Sequence, residues 1–325
     1  MPSEFELIAR HFSRATPSAR LGVGDDAALL QLEAGLELAV STDMLLAGRH
    51  FLPEADPEAL GHKTLAVNLS DLAAMGAKPR WALLAIALPQ ADEAWLSAFS
   101  RGFYALAGRF GVDLVGGDTT RGPLSLCVTV LGEVETGQAL TRSGARPGDH
   151  VWVSGRLGGA ALGLAHCQGR VNLDPRLAAE CRLRLDRPEP RVALGRALRG
   201  LASAAIDLSD GLLADLGHIL ERSGVGAELE LARIPADPAL AAGVPEGLAR
   251  HSLLVGGDDY ELIFTAPPAQ EGAIAGLAQR LGFPLTRIGH IVAGADLVVR
   301  DVHGRPLALH ERGYDHFADP GGDAL

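Results

Sequence analysis

Apolar and polar positions along the chain change period several times, and each change marks an element. Glu4 to Phe12 carries its apolar residues on one side of a short helix. Leu36-Glu-Leu-Ala-Val40 alternates as a half-buried strand does, and it runs straight into Ser41-Thr42-Asp43. From Pro57 to Gly76, the spacing of Leu60, Leu65, Leu69 and Leu72 predicts a helix that Gly76 and Pro79 stop. Trp81 to Leu88 is a near-continuous apolar run, hence a buried strand; a helix over Asp92 to Arg109 and a strand over Leu124 to Val134 follow.

Gly144-Ala-Arg-Pro-Gly-Asp149 is a turn-rich joint, after which the pattern restarts. Val151 to Ser154 reads as a strand, followed by a glycine-rich turn and a helix from about Gly158. Further helices alternate with strands near 204–206, 227–231, 261–265 and 296–299. Mixed helices and strands in both halves predict an α/β (mixed α+β) protein of two domains, 1–145 and 146–325.

Composition narrows the classes. The chain has 325 residues, 47% of them hydrophobic, enough for two cores. Mean hydropathy is +0.15, yet no apolar run approaches the roughly 18 residues of a membrane span, so no membrane partner is expected. Glu4, Glu6 and Arg10 stand where a signal peptide has its apolar stretch, which points to the cytoplasm. Cys127, Cys167 and Cys181 are far apart and form no C-x-x-C pair, so they read as core fillers in a reducing compartment. A net charge of −11 with no basic run disfavours nucleic acid as a partner.

Much of the acidic excess sits in six short segments that place a carboxylate beside Gly, Ser or Thr, as at a turn or strand end. They are Gly24-Asp-Asp-Ala27, Ser41-Thr-Asp43, Asn68-Leu-Ser-Asp71, Gly116-Gly-Asp-Thr-Thr120, Asp207-Leu-Ser-Asp-Gly211 and Gly256-Gly-Asp-Asp-Tyr-Glu261. Carboxylates, hydroxyls and exposed carbonyls are the oxygen ligands that Mg²⁺ prefers, one or two carboxylates per ion with phosphate oxygens and water completing the shell. Several such segments suit several ions around a polyphosphate. Each one alone is also ordinary turn and helix-cap chemistry, and Asp207 and Asp210 could cap a helix starting near Gly211. Asp71 differs, because it shares a predicted helix with Leu69, Leu72, Ala73 and Ala74, where a carboxylate is costly unless paired or bound to metal.

Other nucleotide and hydrolase signatures are missing. Gly61-His-Lys-Thr64 lacks the glycine before lysine that a P-loop needs, and it falls mid-helix. Gly155-Arg-Leu-Gly-Gly159 follows a strand and opens a helix, so its amides could face an anion, although close packing explains its glycines as well. His50, His62 and His218 read singly as surface or core histidines, and Arg142 as a surface residue or an anion clamp beside the joint.

Taken in order, the motifs resemble one family. Gly22-Val-Gly-Asp-Asp-Ala27, Ser41-Thr-Asp43 with Gly48-Arg-His-Phe51, Ala66-Val-Asn-Leu-Ser-Asp-Leu-Ala-Ala-Met-Gly76, Gly116-Gly-Asp-Thr-Thr-Arg-Gly122, Leu140-Thr-Arg-Ser-Gly-Ala145, Ile206-Asp-Leu-Ser-Asp-Gly211, Gly257-Asp-Asp-Tyr-Glu-Leu262 and Gly313-Tyr-Asp-His-Phe317 resemble the bacterial thiamine-monophosphate kinase family. The resemblance covers almost the whole chain and implies the two-domain aminoimidazole ribonucleotide synthetase-like fold. It implies an N-terminal α/β domain that binds ATP and magnesium and dimerises, followed by a C-terminal α/β domain. Relatives that use an N-terminal or C-terminal cysteine are set aside, because the first cysteine here is Cys127 and the tail is Gly-Gly-Asp-Ala-Leu325.

The resemblance also assigns roles. Asp26, Ser41, Thr42, Asp43, Asp71, Asp118, Asp207 and Asp210 would hold magnesium ions, with Asp25 the adjacent alternative to Asp26. Gly117, Asp118, Arg142 and Ser209 would lie at ATP, and His50, Asp258 and Tyr314 would contact thiamine phosphate. The implied reaction is direct in-line transfer from ATP to thiamine phosphate by a homodimer. A related synthetase acting on another phosphorylated metabolite and an inactive nucleotide-binding scaffold are the alternatives.

Overall fold

A computed structural model describes residues 4–308, so Tyr314 lies outside the described residues. Those residues form two compact units, 4–72 with 77–137, and 73–76 with 138–308.

The first unit is built from α1 (Glu4–His11), β1 (Leu36–Leu46), α2 (Pro57–Ala74), β2 (Lys78–Leu88), α3 (Glu93–Phe110), β3 (Asp113–Arg121) and β4 (Ser125–Glu135). Its four strands lie in the order β1-β4-β2-β3. β4 runs antiparallel to β1 and β2, while β2 and β3 are parallel and joined through α3, the crossover that a parallel pair requires. Asp92 caps α3 by accepting from the amides of Ala94 and Trp95, and Gly111 ends it in the left-handed conformation (φ 65°).

α2 is buried almost completely. Every residue from 59 to 74 is buried except Asp71, which is half-exposed. Val128 and Val130 of β4, Trp81 and Ile86 of β2 and Phe99 and Phe103 of α3 are all 2% exposed or less, and with α2 they make the core of this unit.

Two strands differ from expectation. β1 continues six residues past Val40, because its ladder with β4 is unbroken from Leu36 opposite Glu135 to Leu46 opposite Ser125. Ser41, Thr42 and Asp43 therefore sit inside a strand and not at its end. Gly116-Gly-Asp-Thr-Thr120 is likewise strand, part of β3, where the pairing with β2 overrides the turn character of its glycines.

The second unit comprises β5 (His150–Ser154), α4 (Gly159–Cys167), α5 (Pro175–Asp186), α6 (Val192–Leu198), β6 (Ala204–Asp207), α7 (Leu212–Ser223), β7 (Gly226–Glu230), α8 (Glu246–Leu254), β8 (Leu262–Ala266), α9 (Glu271–Leu281), β9 (Leu285–Val292) and β10 (Leu297–Arg300). The sheet order is β10-β7-β9-β5-β8-β6, with β10 and β7 parallel and every other pair antiparallel. Val151, Val153, Ile206, Ile263 and Ile288 meet Leu212, Leu216 and Ile219 of α7 in one core. β9 escapes the sequence pattern because Arg287, Gly289 and His290 break its apolar run, although it lies inside the sheet. Of the three cysteines only Cys181 is buried; Cys167 is exposed and Cys127 intermediate, so core filling explains one of them.

Candidate active site

In the first unit, β1 and α2 bring four polar side chains together. Ser41 and Asp43 are alternate residues of β1 and so share a face, while Asn68 and Asp71 lie one helical turn apart on α2. The two pairs interlock. Ser41 Oγ donates to Asp71 Oδ2 at 2.5 Å, and the Asp43 amide donates to Asn68 Oδ1 at 3.0 Å. Asn68 is in turn fixed by donating to the Thr64 carbonyl at 3.0 Å. His50 closes the end of β1, its Nδ1 accepting the Leu46 amide at 3.0 Å, which leaves the ring proton on Nε2.

Thr42 points the other way. Its hydroxyl meets that of Thr129 on β4 at 2.8 Å, on the face of β1 away from Ser41 and Asp43. Asp118 is exposed on β3, at the opposite edge of the sheet from β1. Three interstrand spacings put about 14 Å between those edges. Its neighbour Gly117 has a structural duty of its own, since a Cβ there would lie 1.8 Å from the Leu84 carbonyl oxygen. Asp25 and Asp26 occupy an exposed turn in which the Asp26 amide donates to Asp25 Oδ1 at 3.0 Å.

The second unit joins two more motifs end to end. Beyond the β6–β8 ladder, the Leu208 amide donates to the Glu261 carbonyl at 2.8 Å. The Tyr260 amide donates to the Leu208 carbonyl at 2.8 Å, and the Asp258 amide to the Ser209 carbonyl at 2.9 Å. Residues 207–211 and 256–261 thus form one paired acidic platform. Arg142 is exposed and adjoins it, because the Ala205 amide of β6 donates to the neighbouring Thr141 carbonyl at 3.0 Å.

Three carboxylates absent from the sequence assignment hold that platform, Asp215 and Glu261 buried and Asp259 partly so. Asp215, on the first turn of α7, accepts the amides of Ser209, Asp210 and Gly211 on a single oxygen, Oδ2, at 3.0, 3.0 and 3.1 Å. Burial, then the nearby charges of Asp207 and Asp210, push its carboxyl up to about 8. The cap of α7 is Gly211 and carries no side-chain hydrogen bond, so capping does not explain Asp207 or Asp210.

Asp259 Oδ2 accepts the Gly158 amide at 2.9 Å at the start of α4. Burial raises its pKa well above the usual carboxylate range, and Glu261 and Asp258 add to the shift against the helix amides. In the 155–159 turn the Gly158 amide therefore meets a carboxyl of the chain itself, whereas the amides of Gly155 and Leu157 donate to the carbonyls of Pro284 and Pro235. Glu261 is clamped by Arg191, whose Nε lies 2.6 Å away and whose Nη2 bonds the second oxygen, and it accepts Ser154 Oγ at 2.5 Å. With Asp259 and Glu261 drawn inward, Asp258 (φ 68°) and Tyr260 (φ 48°) alternate with them in the left-handed region. Among the described residues they are the non-glycine residues found there.

The donors that converge are oxygen throughout, which fits a hard cation such as Mg²⁺ and not a softer metal. Among the described residues no three His, Cys, Asp or Glu side chains are grouped to cage an ion. Magnesium in phosphate sites needs no such cage, because phosphate and water supply the remaining ligands. No helix among the described residues is long and apolar enough to cross a membrane.

Comparison with known proteins follows the same two-part division. Residues 24–134 match the AIR synthase related protein N-terminal domain, and residues 146–302 match the corresponding C-terminal domain. The chain is 49% identical to thiamine-monophosphate kinase of Escherichia coli (strain K12), over 98% of this chain and 99% of that one. The crystal structure of thiamine-monophosphate kinase from Stenotrophomonas maltophilia K279a is similar in fold, with a TM-score of 0.83 and 51% identity over 90% of this chain and 94% of that one. The solved AaThiL complexed with AMPPCP and TMP has a TM-score of 0.78 and 30% identity, over 88% and 89% of the two chains.

Proposed function

Because the chain belongs to the thiamine-monophosphate kinase family, we propose that it transfers the terminal phosphoryl group of ATP to thiamine monophosphate, giving ADP and thiamine diphosphate. The acceptor is a phosphate oxygen, largely ionised near neutral pH because the second phosphate pKa is about 6. No general base is required. The obstacle is repulsion between two polyanions, and the residues answer it with oxygen donors and position.

The observation that carries this reading is where the amides are already spent. The amides of 209–211 and the opening of α4 are filled by Asp215 and Asp259, so phosphate oxygens do not take those places. Asp43 and Asp71 of the first unit, and Asp207 and Asp210 of the second, are instead the cation ligands through which a polyphosphate is held. Magnesium, when bound, supplies the charge neutralisation that lets two phosphates approach in line. Ser41 aims the Asp71 carboxylate, and Asn68 fixes the strand at Asp43. Nε2–H of His50 is a donor for the acceptor phosphate, Asp258 is a contact for the thiamine end, and Arg142, Gly117 and Ser209 are the ATP contacts.

A homodimer formed through residues 1–145 fits the same picture. Leu38, Val40 and Met44 expose 42, 56 and 57% of their surface on one face of β1, where a solvated sheet would be polar. Asp118 and Asp43, at opposite edges of one sheet, can serve one nucleotide if a second copy brings the other edge near.

The test is to incubate the protein with ATP, Mg²⁺ and thiamine monophosphate and to assay thiamine diphosphate, with free thiamine as control. Thiamine diphosphate formed from the monophosphate alone is the expected result. ATP binding without turnover, or equal use of free thiamine, overturns the reading.

A further inference from the structure

Three consecutive amides turned toward one point form a concave donor surface of the kind that elsewhere receives a phosphate or another external anion. Here the amides of Ser209, Asp210 and Gly211 receive Oδ2 of Asp215, a residue only 2% exposed. Stability alone is a poor reason for this choice. The carboxyl gives up its hydration beside the acidic Asp207 and Asp210, and the amides it takes precede the first residue of α7, so it serves the loop and not the first-turn amides of the helix. What the arrangement fixes is direction. With three peptide N–H groups pinned inward, the carbonyl of Ser209 is set to accept the Asp258 amide at 2.9 Å, and the side chains of Ser209 and Asp210 project from a fixed backbone.

We propose that Asp215 is a positioning residue that fills the amide surface of 209–211, orients Asp210 and Ser209 toward a divalent cation, and bars phosphate oxygens from those amides. The proposal rests on the reading of Asp210 as a cation ligand, and it adds the residue that makes the loop specific for a cation-bridged polyphosphate. It predicts that a neutral carbonyl in place of the carboxylate preserves the function, because acceptance of the three amides is what matters.

The experiment uses the full chain and two readouts: Mn²⁺ binding in the absence of substrates, and the Mg²⁺ concentration giving half-maximal turnover. Asp210→Asn should weaken both if the loop holds a cation at all. Asp215→Ala should weaken both by about 10- to 100-fold, the usual cost of removing a group that orients a metal ligand, while kcat at saturating Mg²⁺ falls far less. Asp215→Asn, which keeps an acceptor oxygen, should recover most of the affinity. Should Asp215→Ala fail to fold, Asp215→Glu displaces the loop by one methylene and should give an intermediate loss. A lowered melting temperature with an unchanged Mg²⁺ half-point in Asp215→Ala or Asp215→Glu overturns the proposal while Asp210→Asn still responds. No response from Asp210→Asn overturns the cation reading of the loop and the proposal with it.

Discussion

The two acidic sets are held by opposite means. In the first unit the interlocked pair stands on regular structure: Asp43 lies within β1 and Asp71 within α2, and strand and helix would keep their course without them. In the second unit they hang from two turns, 207–211 and 256–261, whose backbone is set by Asp215, Asp259 and Glu261 and by left-handed residues at 258 and 260. Regular elements place a ligand at little cost and leave it stiff. Turns place it only when other side chains are buried to hold them, and those side chains become part of the stability of the unit. Substitutions in the first set should therefore cost rate, and substitutions behind the second should cost the fold.

The largest effect is expected behind the second set. Arg191→Ala leaves Glu261, 8% exposed, without the guanidinium that bonds both its oxygens. Breaking such a pair by removing one partner costs about 3–5 kcal/mol. Chemical denaturation should show that loss, and KM for thiamine monophosphate should rise as the 256–261 turn loosens. An unchanged midpoint would mean that the turn does not depend on its buried clamp.

The first set should behave in the reverse way. Asp71→Asn keeps shape and can still accept from Ser41, so the melting temperature should stay near that of the parent. Turnover should fall by about 10²–10³-fold, the scale seen when one group stabilising transition-state charge is removed. Normal turnover would end its assignment as a magnesium ligand; a collapse in stability would erase the contrast between the two sets.

The same contrast governs what the sequence discloses. Asp71 is legible because a carboxylate among Leu69, Leu72, Ala73 and Ala74 needs a reason, and of residues 59–74 it alone reaches the surface. Asp215 sits among Leu212, Leu213 and Leu216 and answers to the same logic, so reasoning applied to one helix would have found it on the other. Asp259 and Glu261 are different. Nothing in Gly-Asp-Asp-Tyr-Glu says which acids turn inward, because that is decided by Gly158 and Arg191, each at least 70 positions away. Strands show the same limit. β2 announces itself by an apolar run, but β3 reads as a turn because its glycines serve a close approach to Leu84, visible only once β2 lies beside it.

The smallest of the three effects is a slope and not a step, and it tests whether the second set is held by uncomfortable acids. Asp259 has a pKa raised chiefly by burial, with Glu261 and Asp258 adding to it and the amides of Gly158 and Ala160 opposing. Its unfolded value is near 3.9. Between that value and the raised folded one, the folded chain binds more protons than the unfolded chain, so stability falls as pH rises through the window. Asp259→Asn keeps an oxygen for the Gly158 amide and removes the titration. Its melting temperature, followed from pH 5 to 8 at constant ionic strength, should therefore decline less steeply than the parent's, and the gap between them should widen in the variant's favour as pH rises. Parallel curves would mean that Asp259 is no strained acid and that its helix amides accommodate the charge freely. In that case the second set is held as comfortably as the first, and the difference between them lies in geometry alone.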